Sequence, residues 1–143
     1  HLLILGSGEE ENKLKQIIHN LEISNSVDLL GFKENPYKYL NKAECFILTS
    51  LWEDPGFVLL EAAYLNIPII ASNCPNGPEE ILLNGLGGFL FENNNQNELV
   101  EAFERFYQSP KTDLKIKKIK AKKYSKKFTK FDHYNNLKKI IEI

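Results

Sequence analysis

The sequence predicts an α/β fold: a parallel sheet of about five short strands with helices on both faces. Three observations lead there. Short apolar runs alternate with stretches of helical periodicity along the whole chain. The runs are mostly apolar, as strands covered on both faces are. A length of 143 residues, 43% apolar and 26% charged, suits one globular domain that buries its own core.

Taken in order, His1 to Leu5 (H-L-L-I-L) is an apolar run that stops at Gly6-Ser7-Gly8, as a buried parallel strand does. Leu14, Ile17, Ile18 and Leu21 then repeat on one helical face, and Glu9, Glu10 and Glu11 favour the positive end of that helix. Val27 to Phe32 reads as the second strand and Pro36 to Lys42 as a short helix. Glu44 to Ser50, Pro68 to Ser72 and Gly88 to Phe91 supply the third, fourth and fifth strands. Between them lie a helix over Phe57 to Leu65 and a short one near Glu79 to Leu83. Three more follow, near Glu98 to Tyr107, at 113 to 127 and at 132 to 142. Gly6-Ser7-Gly8 completes neither G-x-G-x-x-G nor G-x-x-x-x-G-K, so it is read as a tight turn. No internal repeat interrupts this order.

Charge is unevenly placed. Residues 1 to 110 carry 6 basic and 16 acidic side chains, and 111 to 143 carry 12 and 3. Ten lysines between Lys111 and Lys130 suit either an anionic membrane face or a solvated helix. The interleaved Ile116, Ile119, Tyr124 and Phe128 favour the solvated helix, and no nucleic-acid module is recognisable. Tyr134 and Leu137 are expected on a packing face, His19 and His133 at the surface. No apolar run is long enough for a membrane span and no leader precedes the first strand, so the expectation is a cytoplasmic protein, with the inner membrane face as its alternative location. Cys45 and Cys74 lack metal or disulfide spacing and are expected to be reduced.

In an open parallel sheet, ligands bind beyond the carboxyl ends of the strands, where loops lead into helices. Ser50 to Phe57 is such a loop. Gly56, Phe57 and Val58 open a helix whose first amides lack intrahelical acceptors, an arrangement that suits a phosphate. Glu61 is the sole charge between Phe57 and Leu65. At about 1.5 Å rise per residue it lies roughly one turn deeper, where a carboxylate can accept two hydrogen bonds from a cis-diol such as a ribose. Glu53 faces whatever follows the phosphate. Glu61 pairing with a lysine and Glu53 as a solvated loop residue are the bland alternatives.

Around these residues the sequence reads S-L-W-E-D-P-G-F-V-L-L-E-A-A, then P-I-I-A-S-N-C-P-N-G-P-E-E-I-L, then N-G-L-G-G-F-L-F. This succession resembles the donor half of glycosyltransferase family 4 (group 1), the carboxy-terminal domain of a GT-B enzyme, from Leu2 to about Phe106. The Glu-x7-Glu pair of that family matches Glu53 and Glu61. Two departures stand out. Asp54 and Pro55 separate Glu53 from Gly56, and Ile67 precedes Pro68 where the family has glycine.

The resemblance implies a Rossmann-like sheet and a retaining transfer of sugar from a nucleotide-diphosphate sugar to an acceptor, in glycan or lipopolysaccharide biosynthesis. Glu53 is then the catalytic carboxylate near the transferred sugar. Glu61 holds the ribose, the Gly56, Phe57 and Val58 amides hold the distal phosphate, and Gly31, Phe32 and Lys33 meet the base. Glu80 matches an acidic position that orders the loop Cys74 to Gly77, or is simply a helix-start charge. No D-x-D triad is present, so neither a divalent metal nor another cofactor is expected. The resemblance further implies that the first strand-helix unit of the donor domain, with its Arg and Lys, and an amino-terminal acceptor domain are missing from this chain. Residues 1–143 are then a single truncated donor domain with a lysine-rich helical tail at about 111–143, expected to be inactive alone. The competing reading is a non-catalytic Rossmann-like module that binds a nucleotide or a protein.

Overall fold

A computed structural model describes residues 1–141. The chain divides into two compact units, His1–Tyr39 and Leu40–Ile143. In the first, β1 (Leu2–Leu5), α1 (Glu11–Asn20) and β2 (Val27–Gly31) form a parallel β-α-β unit. Leu2 pairs with Val27, Leu3 with Asp28 and Ile4 with Leu29, and the register then shifts so that Leu5 faces Gly31. The turn at Gly6 is structural, as expected: its N–H donates to the Gly31 carbonyl at 2.9 Å. The expectation of a buried first strand fails. Leu2 and Leu3 are 45% and 42% exposed, and none of residues 1–39 is buried, because β1 has only β2 beside it and α1 is short. Ile17 and Leu21 are exposed for the same reason.

A short helix α2 (Tyr37–Leu40) leads on to the larger unit. Its parallel sheet has the order β3 (Phe46–Leu48), β4 (Ile69–Ser72), β5 (Phe89–Phe91). The five strands of the described residues thus lie in two hydrogen-bonded sheets, of two and three strands, and not in one. All are parallel, so the predicted α/β class holds.

All four residues of β4 are buried, and their alternation divides the core. Ile69 and Ala71 pack with Leu59, Leu60, Ala62 and Ala63 of α3 (Phe57–Tyr64), Ile81 of α4 (Pro78–Ile81) and Ala121 of α6 (Lys111–Ser125). Ile70 packs on the opposite face with Phe89, Phe91 and Ala102, the last on α5 (Gln96–Gln108). Helices on both faces are what the apolar runs predict. α3 is apolar nearly all round because it lies in the middle of this layer.

The predicted helix at 113 to 127 is α6 followed by a 3-10 turn at Lys126–Phe128, and the last is α7 (Lys130–Ile141). The expected helix end at residue 142 lies outside the described residues. Ile116 and Ile119 do not pack inward. Each is 52% exposed, and Leu114, Lys117, Lys118, Ala121, Tyr124 and Ser125 form the inner face instead. The Lys117 ammonium donates to the carbonyls of Gly85 at 2.6 Å and Gly88 at 3.1 Å and lies over the Phe89 ring, which fixes the rotation of α6. Tyr134 and Leu137 are likewise exposed instead of packed, because α7 meets chiefly the preceding turn. Among the described residues no helix is long and apolar enough to cross a membrane.

Candidate functional site

Within the larger unit, the loops after β3, β4 and β5 leave the same edge of the sheet, at its carboxyl end. The β3–α3 loop carries Glu53. Its end is set by Gly56, which takes φ +80° as the residue before α3, a left-handed conformation that a side chain disfavours. A Cβ placed on Gly56 would lie 3.6 Å from both Cβ and Cγ of Glu53. The glutamate stem therefore lies against the amino end of α3, where Phe57 and Val58 contribute the first helical amides. Both of their side chains are exposed, whereas Gly56 is buried. Glu61 follows on the same helix, half-buried one turn further on. The structure brings Glu53, Gly56, Phe57, Val58 and Glu61 to one helix end. Chemically, that end offers oriented amide dipoles for an anion, with the Glu53 stem against it and Glu61 one turn along the helix.

Asp54 and Pro55, the residues by which the chain departs from the family pattern, are exposed, and the peptide between them is cis. The β4–α4 loop packs directly on this segment: a Cβ at Gly77 would overlap the Pro55 carbonyl oxygen. Glu80 stands on α4, where its carboxylate accepts a 2.7 Å hydrogen bond from the Tyr124 hydroxyl of α6. That acceptor holds the Tyr124 phenol above its ordinary pKa. In the smaller unit, Gly31 ends β2 with φ +67°, followed by an exposed Phe32 and a half-buried Lys33.

Three groups near Glu53 escaped the sequence reading. The Ser72 hydroxyl donates to the Ser50 carbonyl at 2.6 Å, the Asn93 amide donates to the Leu51 carbonyl at 2.8 Å, and the Glu53 N–H donates to the Pro75 carbonyl at 3.2 Å. Ser72 left a trace, being the one hydroxyl at the end of an apolar strand. Asn93 left none, since it is one of several asparagines in its loop.

With that geometry in place, the family follows from comparison. The model of the family described as glycosyl transferases group 1 matches residues 1–123. The chain belongs to this family. An uncharacterized glycosyltransferase of Methanocaldococcus jannaschii is 47% identical over 81 residues, covering 57% of this chain and 20% of that protein. The N-acetylgalactosamine-N,N'-diacetylbacillosaminyl-diphospho-undecaprenol 4-alpha-N-acetylgalactosaminyltransferase of Campylobacter jejuni is 33% identical over 129 residues, 90% of this chain and 35% of that protein. Among solved structures, Anabaena HepE in complex with UDP-glucose superposes with a TM-score of 0.81 at 23% identity, over 98% of this chain and 39% of that one. The group 1 chain thus spans about a third or less of the curated relatives it matches here, and shares the fold of GT-B glycosyltransferases.

Proposed function

We propose that this chain is the donor-binding part of a retaining glycosyltransferase, transferring a sugar from a nucleoside-diphosphate sugar to an acceptor in glycan or lipopolysaccharide biosynthesis. The observation that carries the reading is the Glu53 stem lying against the Gly56 turn at the start of α3, one turn from Glu61. In this reading the α3 amides take the distal phosphate and stabilise the charge that grows on the departing diphosphate. Glu61 holds the ribose diol. Glu53 lies beside the reacting sugar while the acceptor hydroxyl attacks from the face that the diphosphate leaves. Glu80 acts indirectly, by keeping α4 and its loop in place through Tyr124.

Support for a nucleotide donor comes from HepE, whose complex holds UDP-glucose. The diphospho-undecaprenol substrate in the name of the Campylobacter relative supports a place on the cytoplasmic side, against an anionic membrane face that the lysines would meet. The reading needs no divalent metal or other cofactor, and no nucleic acid. A separate amino-terminal domain would bind the acceptor, and residues 1–143 alone would be inactive.

Calorimetric titration of the full-length protein with UDP, GDP and ADP, and release of nucleotide from the corresponding sugar donors, test the proposal. Glu53→Gln should cut turnover by about 100-fold or more. Glu61→Ala should weaken donor binding by about 1–3 kcal/mol and spare kcat. Nucleotide binding without transfer would favour a non-catalytic module. Turnover and donor affinity both unmoved by these two changes would defeat the assignment.

A further inference from the structure

We infer that Asn93 and Ser72 are positioning residues for Glu53, pinning the Ser50–Glu53 loop from the end of β4 and from the loop just beyond β5. The inference rests on the role proposed for Glu53. Consecutive carbonyls of that loop are held by side chains from different elements: Ser50 by the Ser72 hydroxyl at the end of β4, and Leu51 by the Asn93 amide just beyond β5. Glu53 itself is tied through its N–H to the Pro75 carbonyl. Such a loop has no ladder of its own to fix it, since β3 ends at Leu48. Its shape therefore depends on these bonds, and with it the place of the Glu53 carboxylate relative to the α3 amides.

Both residues keep polarity where packing alone would not. Ser72 is 1% exposed, at the end of a strand whose other residues are Ile69, Ile70 and Ala71. The other amide atom of Asn93, Oδ1, is buried, and among the described residues no hydrogen-bond partner reaches it. Burying an unsatisfied acceptor is unfavourable, and a leucine of similar shape would remove it. A purely structural role predicts that losing the bond to the Leu51 carbonyl lowers Tm and activity together. A positioning role predicts that the exchange keeps the fold and loses the loop geometry.

The experiment compares Asn93→Leu, Ser72→Ala and the double variant with wild type and Glu53→Gln in the full-length protein. It measures UDP release from UDP-glucose, UDP-N-acetylglucosamine and UDP-N-acetylgalactosamine together with Tm. The expected result for each single variant is a kcat lower by about 10- to 100-fold with donor KM and Tm close to wild type, since misplacing a group by about 1 Å costs that much. The double variant should lose less than the product of the singles, because both act through one loop. Glu53-dependent turnover that survives both single changes overturns this inference alone, as does a loss of kcat that merely tracks donor KM or Tm. No UDP release by wild type, or none that depends on Glu53, overturns the glycosyltransfer reading and this inference with it.

Discussion

At Gly77 the backbone takes φ +133°, and any side chain would collide with the Pro55 carbonyl, so two site loops approach each other through a missing Cβ. Gly77→Ala is expected to cost about 1–3 kcal/mol in urea unfolding and to displace the Glu53 loop, lowering turnover as well. A second single-residue effect concerns Cys45, whose thiol is pushed up to about 12 by burial beside β3. A pKa raised in the folded state contributes stability that is complete below the unfolded value of 9.0 and lost as pH climbs toward 12. Tyr124 acts in the same direction, whereas Lys117, lowered mainly by burial, acts in the opposite one. Thermal melts between pH 8 and 11 should therefore show Tm falling, and Cys45→Val should flatten the fall. Below pH 8.5 the Cys45 thiol of the folded protein should resist alkylation.

Among the elements, α6 shows how one ion can overrule a hydrophobic pattern. Its isoleucines point outward because Lys117 is claimed by the Gly85 and Gly88 carbonyls, and its neighbours at Leu114, Ala121 and Tyr124 follow onto the same face. Lys117→Met preserves the apolar stem and removes the charge-assisted bonds. It should cost about 1.5–3 kcal/mol by chemical denaturation, measured together with Lys120→Met, which should change stability little. The lysine block is therefore partly structural. Lys122 lies over the Tyr64 ring and so ties α6 to α3, whereas Lys127 lies over the Tyr124 ring within the tail itself.

For the molecule as a whole, burial is concentrated in the unit from Leu40 onward, where β4 is buried along its full length and none of residues 1–39 is. Local opening is easiest where few apolar groups are covered. Native-state hydrogen exchange should show amides of β1 and β2 exchanging through low-energy openings, and those of β4 only near the global unfolding limit. Comparable protection in β1 and β4 would contradict this division.

Much of this was legible in the residues. Short, mostly apolar runs placed the five strands of the described residues, and Glu53, Gly56 and Glu61 sat at a spacing that spans a loop and the start of a helix. That is so because periodicity and turn chemistry are local, and an eight-residue interval across a turn and a helix start has few geometries. What the sequence could not decide is which strands pair, so the five strands fall into two sheets, and which face of α6 is buried, because a lysine bound to distant carbonyls set it. Nor could it place Asn93 beside Leu51, 42 residues away. Pairing, rotation and loop pinning depend on contacts between segments far apart in sequence, and only the folded chain brings those together.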